Sequence, residues 1–353
     1  MNEIATLTEL LEAGGARPRF YDMGRRIVHL PRESFVRFEH TQIPYPQPLQ
    51  QQAWFAMVLQ PGAAGAADPL IWFLHFPLDE QAKLLQAARD DFVMQLVEHL
   101  GSAGQALAQN PRLQQTLEQS PYAFQPKQER LAALHARLTV DLSQPPSRYY
   151  EHAKRYFDGE LGWDQWSFIG YQGIADLAAR FALADNTGRI AAALDPLPPV
   201  PLEALCHCLE NEAVPAPISQ ALLQRVEAAL REPAPDPQVV TAVLRGVSHA
   251  ETAAHRRQLA LLVLDHPLAR GSDVLAAVAG RLWGDLCDHT LCRRFLERLA
   301  ENDQGQHFFD RILSDLLYLP ETRPCLLERL RDPARSAHLG EAIGAFFTRV
   351  RQG

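Results

Sequence analysis

The chain has 353 residues, 47% of them hydrophobic and 22% charged, with a formal net charge of -8. This length exceeds the roughly 250 to 300 residues at which one hydrophobic core stops growing, so two or more packed units are expected, and the composition excludes disorder over most of the chain. The negative balance excludes chain-wide attraction to nucleic acid or to an anionic membrane, and no apolar run approaches the roughly 20 residues that span a bilayer.

The first residues, Met1 to Ala13, carry Glu3, Glu9 and Glu12 and lack both a basic start and an unbroken apolar run. They read as an amphipathic helix and not as a secretory signal, with Ile4, Leu7, Leu10 and Leu11 on one face, Asn2 as cap and Gly14-Gly15 as stop. Two β-prone runs around Gly24, from Arg19 to Leu30, predict a hairpin in which Gly24 can supply a positive φ. Pro31 opens a short helix through Glu39 that brings Phe35 and Phe38 together. Pro44, Pro46 and Pro48 then force an extended connector. Ala53 to Leu59 and Leu70 to Phe76, aromatic and β-branched, predict two antiparallel strands joined by the Gly- and Ala-rich Pro61 to Ala67. Alternation places His75 beside Phe73 as a structural histidine. Asp79 caps a predicted helix that runs to Leu100 with Leu84, Leu85, Ala88, Phe92, Leu96 and Leu100 as its stripe.

The domains expected are an N-terminal α+β domain over 1–101, a connector over 102–146 ending at Pro145-Pro146, an aromatic-rich helical segment over 147–198, and a helical-repeat domain over 199–353. In the last region Ile218, Leu222, Val226 and Leu230 step by four. Val239, Val240, Val243, Leu244 and Val247, and then Val274, Leu275, Val278 and Leu282, step by three and four. Helix starts at Asp236-Pro237, Ser272 and Gln306 recur every 36 and 34 residues. A two-helix unit of that size cannot bury its apolar face alone, so the period predicts a HEAT-like stack, an α-solenoid without the side-chain signatures of tetratricopeptide or ankyrin repeats.

Cys206-His207-Cys208 and the cysteines at 287 and 292 resemble metal ligands, but neighbouring C-x-C thiols on a helix point about 200° apart, so neither a metal nor a cofactor is expected. Five cysteines, an odd number, read as reduced thiols and fit a cytoplasmic location. Arg25, Arg26, Arg32 and Arg37 lie in a locally cationic stretch whose neighbours Phe20, Tyr21, Phe35 and Phe38 could stack bases; solvated arginines over a buried aromatic core are the simpler alternative. Trp163, Trp166 and Tyr171 could anchor a partner or fill a core. Nucleotide-binding, nucleophile-elbow and metalloprotease motifs are absent from the sequence.

Phe20-Tyr21-Asp22-Met23-Gly24-Arg25, Trp72-Phe73-Leu74-His75-Phe76-Pro77-Leu78-Asp79-Glu80 and Tyr171-Gln172-Gly173-Ile174-Ala175-Asp176 resemble an uncharacterised family of proteobacterial proteins defined only as a domain of unknown function. The resemblance spans nearly the whole chain and implies a bacterial cytoplasmic setting, but no activity or site residues. The expected fold is therefore α+β and mostly helical: a small N-terminal domain with an antiparallel sheet, then a HEAT-like stack. The expected role is an interaction or adaptor protein that binds a protein or peptide. Nucleic-acid binding through the arginine stretch is the alternative, and an enzyme with a site between domains a weaker one; no membrane partner is expected.

Overall fold

The structure is a computed structural model that describes residues 6–59, 69–100, 120–183 and 185–352. It is mostly helical with one small antiparallel sheet, and the chain divides into two units: Met1–Pro126 with Tyr318–Pro320, and Lys127–Leu317 with Glu321–Gly353.

The first unit contains α1 (Leu7–Ala13), β1 (Pro18–Asp22), β2 (Val28–Leu30), α2 (Arg32–Glu39), β3 (Gln52–Leu59), β4 (Leu70–Pro77) and α3 (Gln86–Leu100). The strands form one antiparallel sheet in the order β2-β1-β3-β4, with Phe20 opposite Leu30 on one side and Met57 on the other. One face is packed by the helices: Phe20 stacks on Phe35 at 3.7 Å, while Phe55, Phe76 and Phe92 meet edge-on or tilted around them. The other face carries Trp54 stacked on His75 at 4.7 Å, with Phe124 edge-on to Trp54. Burial lowers the pKa of His75, consistent with a structural role.

Several local expectations change. Helix α1 starts at Leu7 and is capped by Thr6, whose side chain accepts from the Glu9 amide; the expected cap Asn2 and face residue Ile4 lie outside the described residues. The other free amides of that first turn are met from a distance: Glu39 accepts from Leu7 N at 2.9 Å and from the Thr8 amide and hydroxyl. Gly24 does not adopt a positive φ; its amide donates to Asp22 Oδ1 and so tightens the turn. Asp79 caps a turn and not a helix, accepting from Gln81 N and Lys83 N, and α3 begins later at Gln86. The expected loop Pro61 to Ala67 lies outside the described residues.

The second unit runs through α4 (Gln128–Asp141), α5 (Tyr150–Phe157), a 3-10 turn (Trp163–Phe168), α6 (Tyr171–Ala178), α7 (Asn186–Ala193), α8 (Pro199–Leu209), α9 (Ala216–Arg231), α10 (Pro237–Val247), α11 (Ala253–Asp265), α12 (Ser272–Arg281), a 3-10 turn (Trp283–Cys287), α13 (His289–Ala300), α14 (Gln306–Tyr318), α15 (Arg323–Arg329) and α16 (Ala337–Val350). Helix α4 falls in the stretch read as a connector; of that stretch, 102–119 lie outside the described residues. Helices α4, α6, α8, α10 and α12 pack each on the next, and so do α5, α7, α9, α11 and α13. The leucine and valine stripes are the contacts: Leu222, Val226, Val240, Val243, Val247, Leu275 and Val278 are fully buried. Past α12 the alternation changes, and α13 meets α15 and α16.

The cysteines depart from the expectation that all are reduced. Cys287 and Cys325 form a disulfide across 38 residues, because the 3-10 turn and α15 bring their Cα atoms within 5.4 Å. Closing a loop of this length constrains the unfolded chain by about 3 to 4 kcal/mol. Reduction, or Cys325→Ser, will lower the urea midpoint of the oxidised protein, and an unchanged midpoint would remove the bond from the stability of this unit.

Glu39 gives the first unit a pH dependence. Burial, opposed by its bonds to Thr8 and Leu7, pushes its pKa up to about 7. A carboxyl whose folded pKa is raised contributes stability that is fully present below about 4.5 and lost as pH climbs through 7, a span worth on the order of 3 kcal/mol. After correction for intrinsic exchange rates, amide protection in α1 will fall between pH 4.5 and 7, and Glu39→Gln will flatten that fall.

Candidate functional site

The arginine stretch does not assemble into one surface. Arg25 is buried, with its Nε donating to Pro48 O at 2.9 Å, and Arg26 is half-buried. Arg32 is exposed and paired with Glu12, and Arg37 is exposed. Phe20, Tyr21, Phe35 and Phe38 are core residues, so the rings expected to stack bases are turned into the fold. Trp163 is half-buried, edge-on to Tyr156, and its carbonyl accepts from the Tyr156 hydroxyl. Trp166 is exposed, with Phe168 more so, while the Tyr171 hydroxyl is buried beside the Cys208 thiol.

A different set of side chains converges in the second unit. Glu210, the residue that caps the C-terminal end of α8, is 4% exposed. A carboxylate there faces the negative end of its own helix dipole, so cations from other helices must hold it. Arg281 Nε lies 2.6 Å and Arg245 Nε 3.1 Å from one of its oxygens, and Arg130 Nη1 lies 3.9 Å from the other. Arg245 and Arg281 stand in the last turns of α10 and α12, where the dipole favours cations, and Arg130 comes from the first turn of α4.

These groups border a cavity of about 300 Å³ that also reaches Lys127, Glu129, His207 and Asn211. A second cavity of about 330 Å³ shares His207, Arg245 and Arg281 with the first. It continues along α8, α10 and α12 to Glu203, Gln238, Thr241 and Asp273, past the small residues Ala242, Ala276, Ala277 and Gly280. A Cβ built on Gly280 meets nothing within 4 Å, so this wall is open. Burial, then the adjoining Arg245, Arg281, Arg130 and Lys127, push the His207 pKa down to about 3. The ring is therefore neutral at pH 7, and its Nε2 accepts from the Arg245 guanidinium. Burial pulls Arg281 down to about 10 against the attraction of Glu210, with Arg245 and Arg130 adding repulsion, which leaves it cationic.

Further buried polar contacts brace the same helices. Asp176 of α6 and Arg180, just past the end of that helix, pair at 3.0 Å; Arg180 also donates to Thr139 of α4, and Asp176 accepts from Ser147 N. Glu212 pairs with Arg137 of α4 at 3.1 Å, and burial pushes its pKa up to about 7. Cys206 and Cys208 serve different neighbours: Cys206 packs on Gly246, where a Cβ would meet its Sγ at 2.7 Å, and Cys208 sits by Tyr171. Burial pushes both thiols up. Sequence reasoning missed the arginine cluster, although a signal existed. Positions 210, 245 and 281 follow one another at 35 and 36 residues, a charged residue at or near the C-terminal end of α8, α10 and α12.

The chain belongs to the family described as Protein of unknown function (DUF3549), whose model matches residues 2–347. No curated protein and no solved structure matches it.

Glu210 is central to the stability of this region. Removing one member of a buried ion cluster costs about 3 to 5 kcal/mol because the partners are left uncompensated. Glu210→Ala will lower the unfolding free energy by that order, and adding Arg281→Met will recover part of the loss. Additive losses in the double variant, measured by urea denaturation, would mean that the two groups are not coupled.

Proposed function

We propose that the second unit is a HEAT-like helical-repeat stack and that the protein is an adaptor, binding an extended segment of a protein partner across α8, α10 and α12. The observation that carries this reading is the pair of joined cavities bordered by three successive helices of one row. Pockets of roughly 300 to 1,000 Å³ are typical of ligand sites, and helical-repeat rows present elongated grooves to peptides.

The repeat reading draws on more than helix starts. Hydrogen bonds link neighbouring helices at a nearly constant offset in sequence: Ser219 Oγ with His255 Nδ1 at 36 residues, Arg298 Nε to Leu264 O at 34, and Gln306 Nε2 to Ala342 O at 36. Val214 and Ala250 form a parallel bridge between successive turns. A chain that repeats its contacts with this period buries a continuous core between layers and leaves side chains of alternate helices facing outward.

Gly280→Trp and Thr241→Trp fill the groove at positions outside the apolar stripes and leave the charge of every arginine in place. Both variants are expected to melt like the parent, and in affinity purification with mass spectrometry from the source cell they will lose specific partners by about tenfold or more, the scale set by blocking a contact centre. Partner recovery equal to that of the parent would reject the groove as the binding surface.

A further inference from the structure

The two joined cavities differ in charge. The one around Glu210 gathers Lys127, Arg130, Arg245 and Arg281 against the carboxylates of Glu129 and Glu210, four cations to two anions. In the other, the shared Arg245 and Arg281 are balanced by Glu203, whose carboxylate lies 3.6 Å from His207 Nε2, and by Asp273 in the first turn of α12. The parallel helices explain the sign at each end, with Asp273 in the first turn of α12 and Arg245 and Arg281 in last turns. Guanidinium groups from α4, α10 and α12 are gathered around the buried Glu210 carboxylate at the edge of the cavity. Glu210 fixes those groups in place before any ligand arrives, and preorganised guanidinium groups recognise a carboxylate by paired hydrogen bonds.

Resting on the adaptor reading above, we infer that the groove selects a peptide segment of a partner protein with an Asp or Glu side chain at the Arg130–Arg245 end and small or basic residues at the Asp273 end. A nucleic-acid strand fits this pattern poorly, because a continuous polyanion laid along the groove would have to pass Glu203 and Asp273, which repel it. The small residues Ala276, Ala277 and Gly280 leave room for backbone between the two charged ends. His207, neutral, keeps Arg245 aligned without adding charge.

The test uses the full chain and a positional-scanning library of fluorescent octapeptides read by polarisation. The expected result is one position that requires an acidic residue and a second, within four residues of it, that favours basic or small ones. The best peptide will bind about tenfold or more weakly to Arg130→Gln and Arg245→Gln, the scale of a lost charge-assisted hydrogen bond. It will bind unchanged to Arg231→Gln, an exposed arginine on α9. Arg245→Lys, which keeps the charge but loses the planar fork, will fall between parent and Gln variant, which separates lost recognition from lost folding; melting curves accompany each variant.

Peptide binding that Gly280→Trp abolishes but that shows no acidic preference would overturn this inference and leave the adaptor reading standing. Binding of no peptide, together with partner capture indifferent to Gly280→Trp, would end both. Displacement by inorganic phosphate at concentrations where acetate is inert would transfer the site from carboxylates to phosphoryl groups. Tighter binding of a labelled single-stranded oligonucleotide than of any peptide would transfer it to nucleic acid. Either result overturns the inference.

Discussion

The site in the second unit depends on one constraint: a carboxylate buried at the wrong end of a helix. Glu210 sits where the carbonyls of α8 already concentrate negative charge, with little of its surface left to water. The chain resolves this by bringing guanidinium groups from α4, α10 and α12 to the same point. Four helices that are distant in sequence are thereby tied to one atom group, and their relative placement becomes a condition of burying that charge. Apolar packing alone is non-directional, whereas a buried carboxylate is compensated only while its guanidinium partners stay close, at 2.6 and 3.1 Å here.

The same solution recurs with other residues. Asp176 of α6 holds Arg180, which reaches Thr139 of α4, Glu212 draws in Arg137, and in the first unit Glu39 gathers the amides that begin α1. In each case a buried acid finishes hydrogen bonding that a helix end leaves open or joins two helices that share no sequence neighbourhood. Buried ion pairs of this sort add little net stability compared with well-packed apolar residues; what they contribute is a single register for the elements they join, a reading that suits a surface whose shape must be fixed in advance.

Much of the architecture was legible because it follows from short-range rules. The strands at Ala53 and Leu70, the Phe35–Phe38 pair, and helix starts at Pro237, Ser272 and Gln306 stand where alternation, turn residues and caps place them. The failures are of another kind. Asp79 has the chemistry of a helix cap and caps a turn, since the same Asx bonding serves both. The Cys287–Cys325 bond spans 38 residues and leaves no local trace. Arg25 reads as a surface cation, yet its guanidinium is satisfied by the Pro48 carbonyl inside the fold. The groove was invisible as a cluster because its members are scattered from Lys127 to Arg281, and only the recurrence of charge at positions 210, 245 and 281 hinted at it.

Cys206 and Gly246 meet where α8 passes α10, with no room for even a methyl group on the glycine. That pair sets how near the two helix axes come, and so it acts as a gauge for the separation between the groove-lining side chains each helix carries. Calibre and charge are therefore specified by different residues. On the proposed adaptor reading, exchanging polar groups along the rim would retune which ligand is favoured, while the bore stayed constant as long as the smallest side chains at the crossing were left alone.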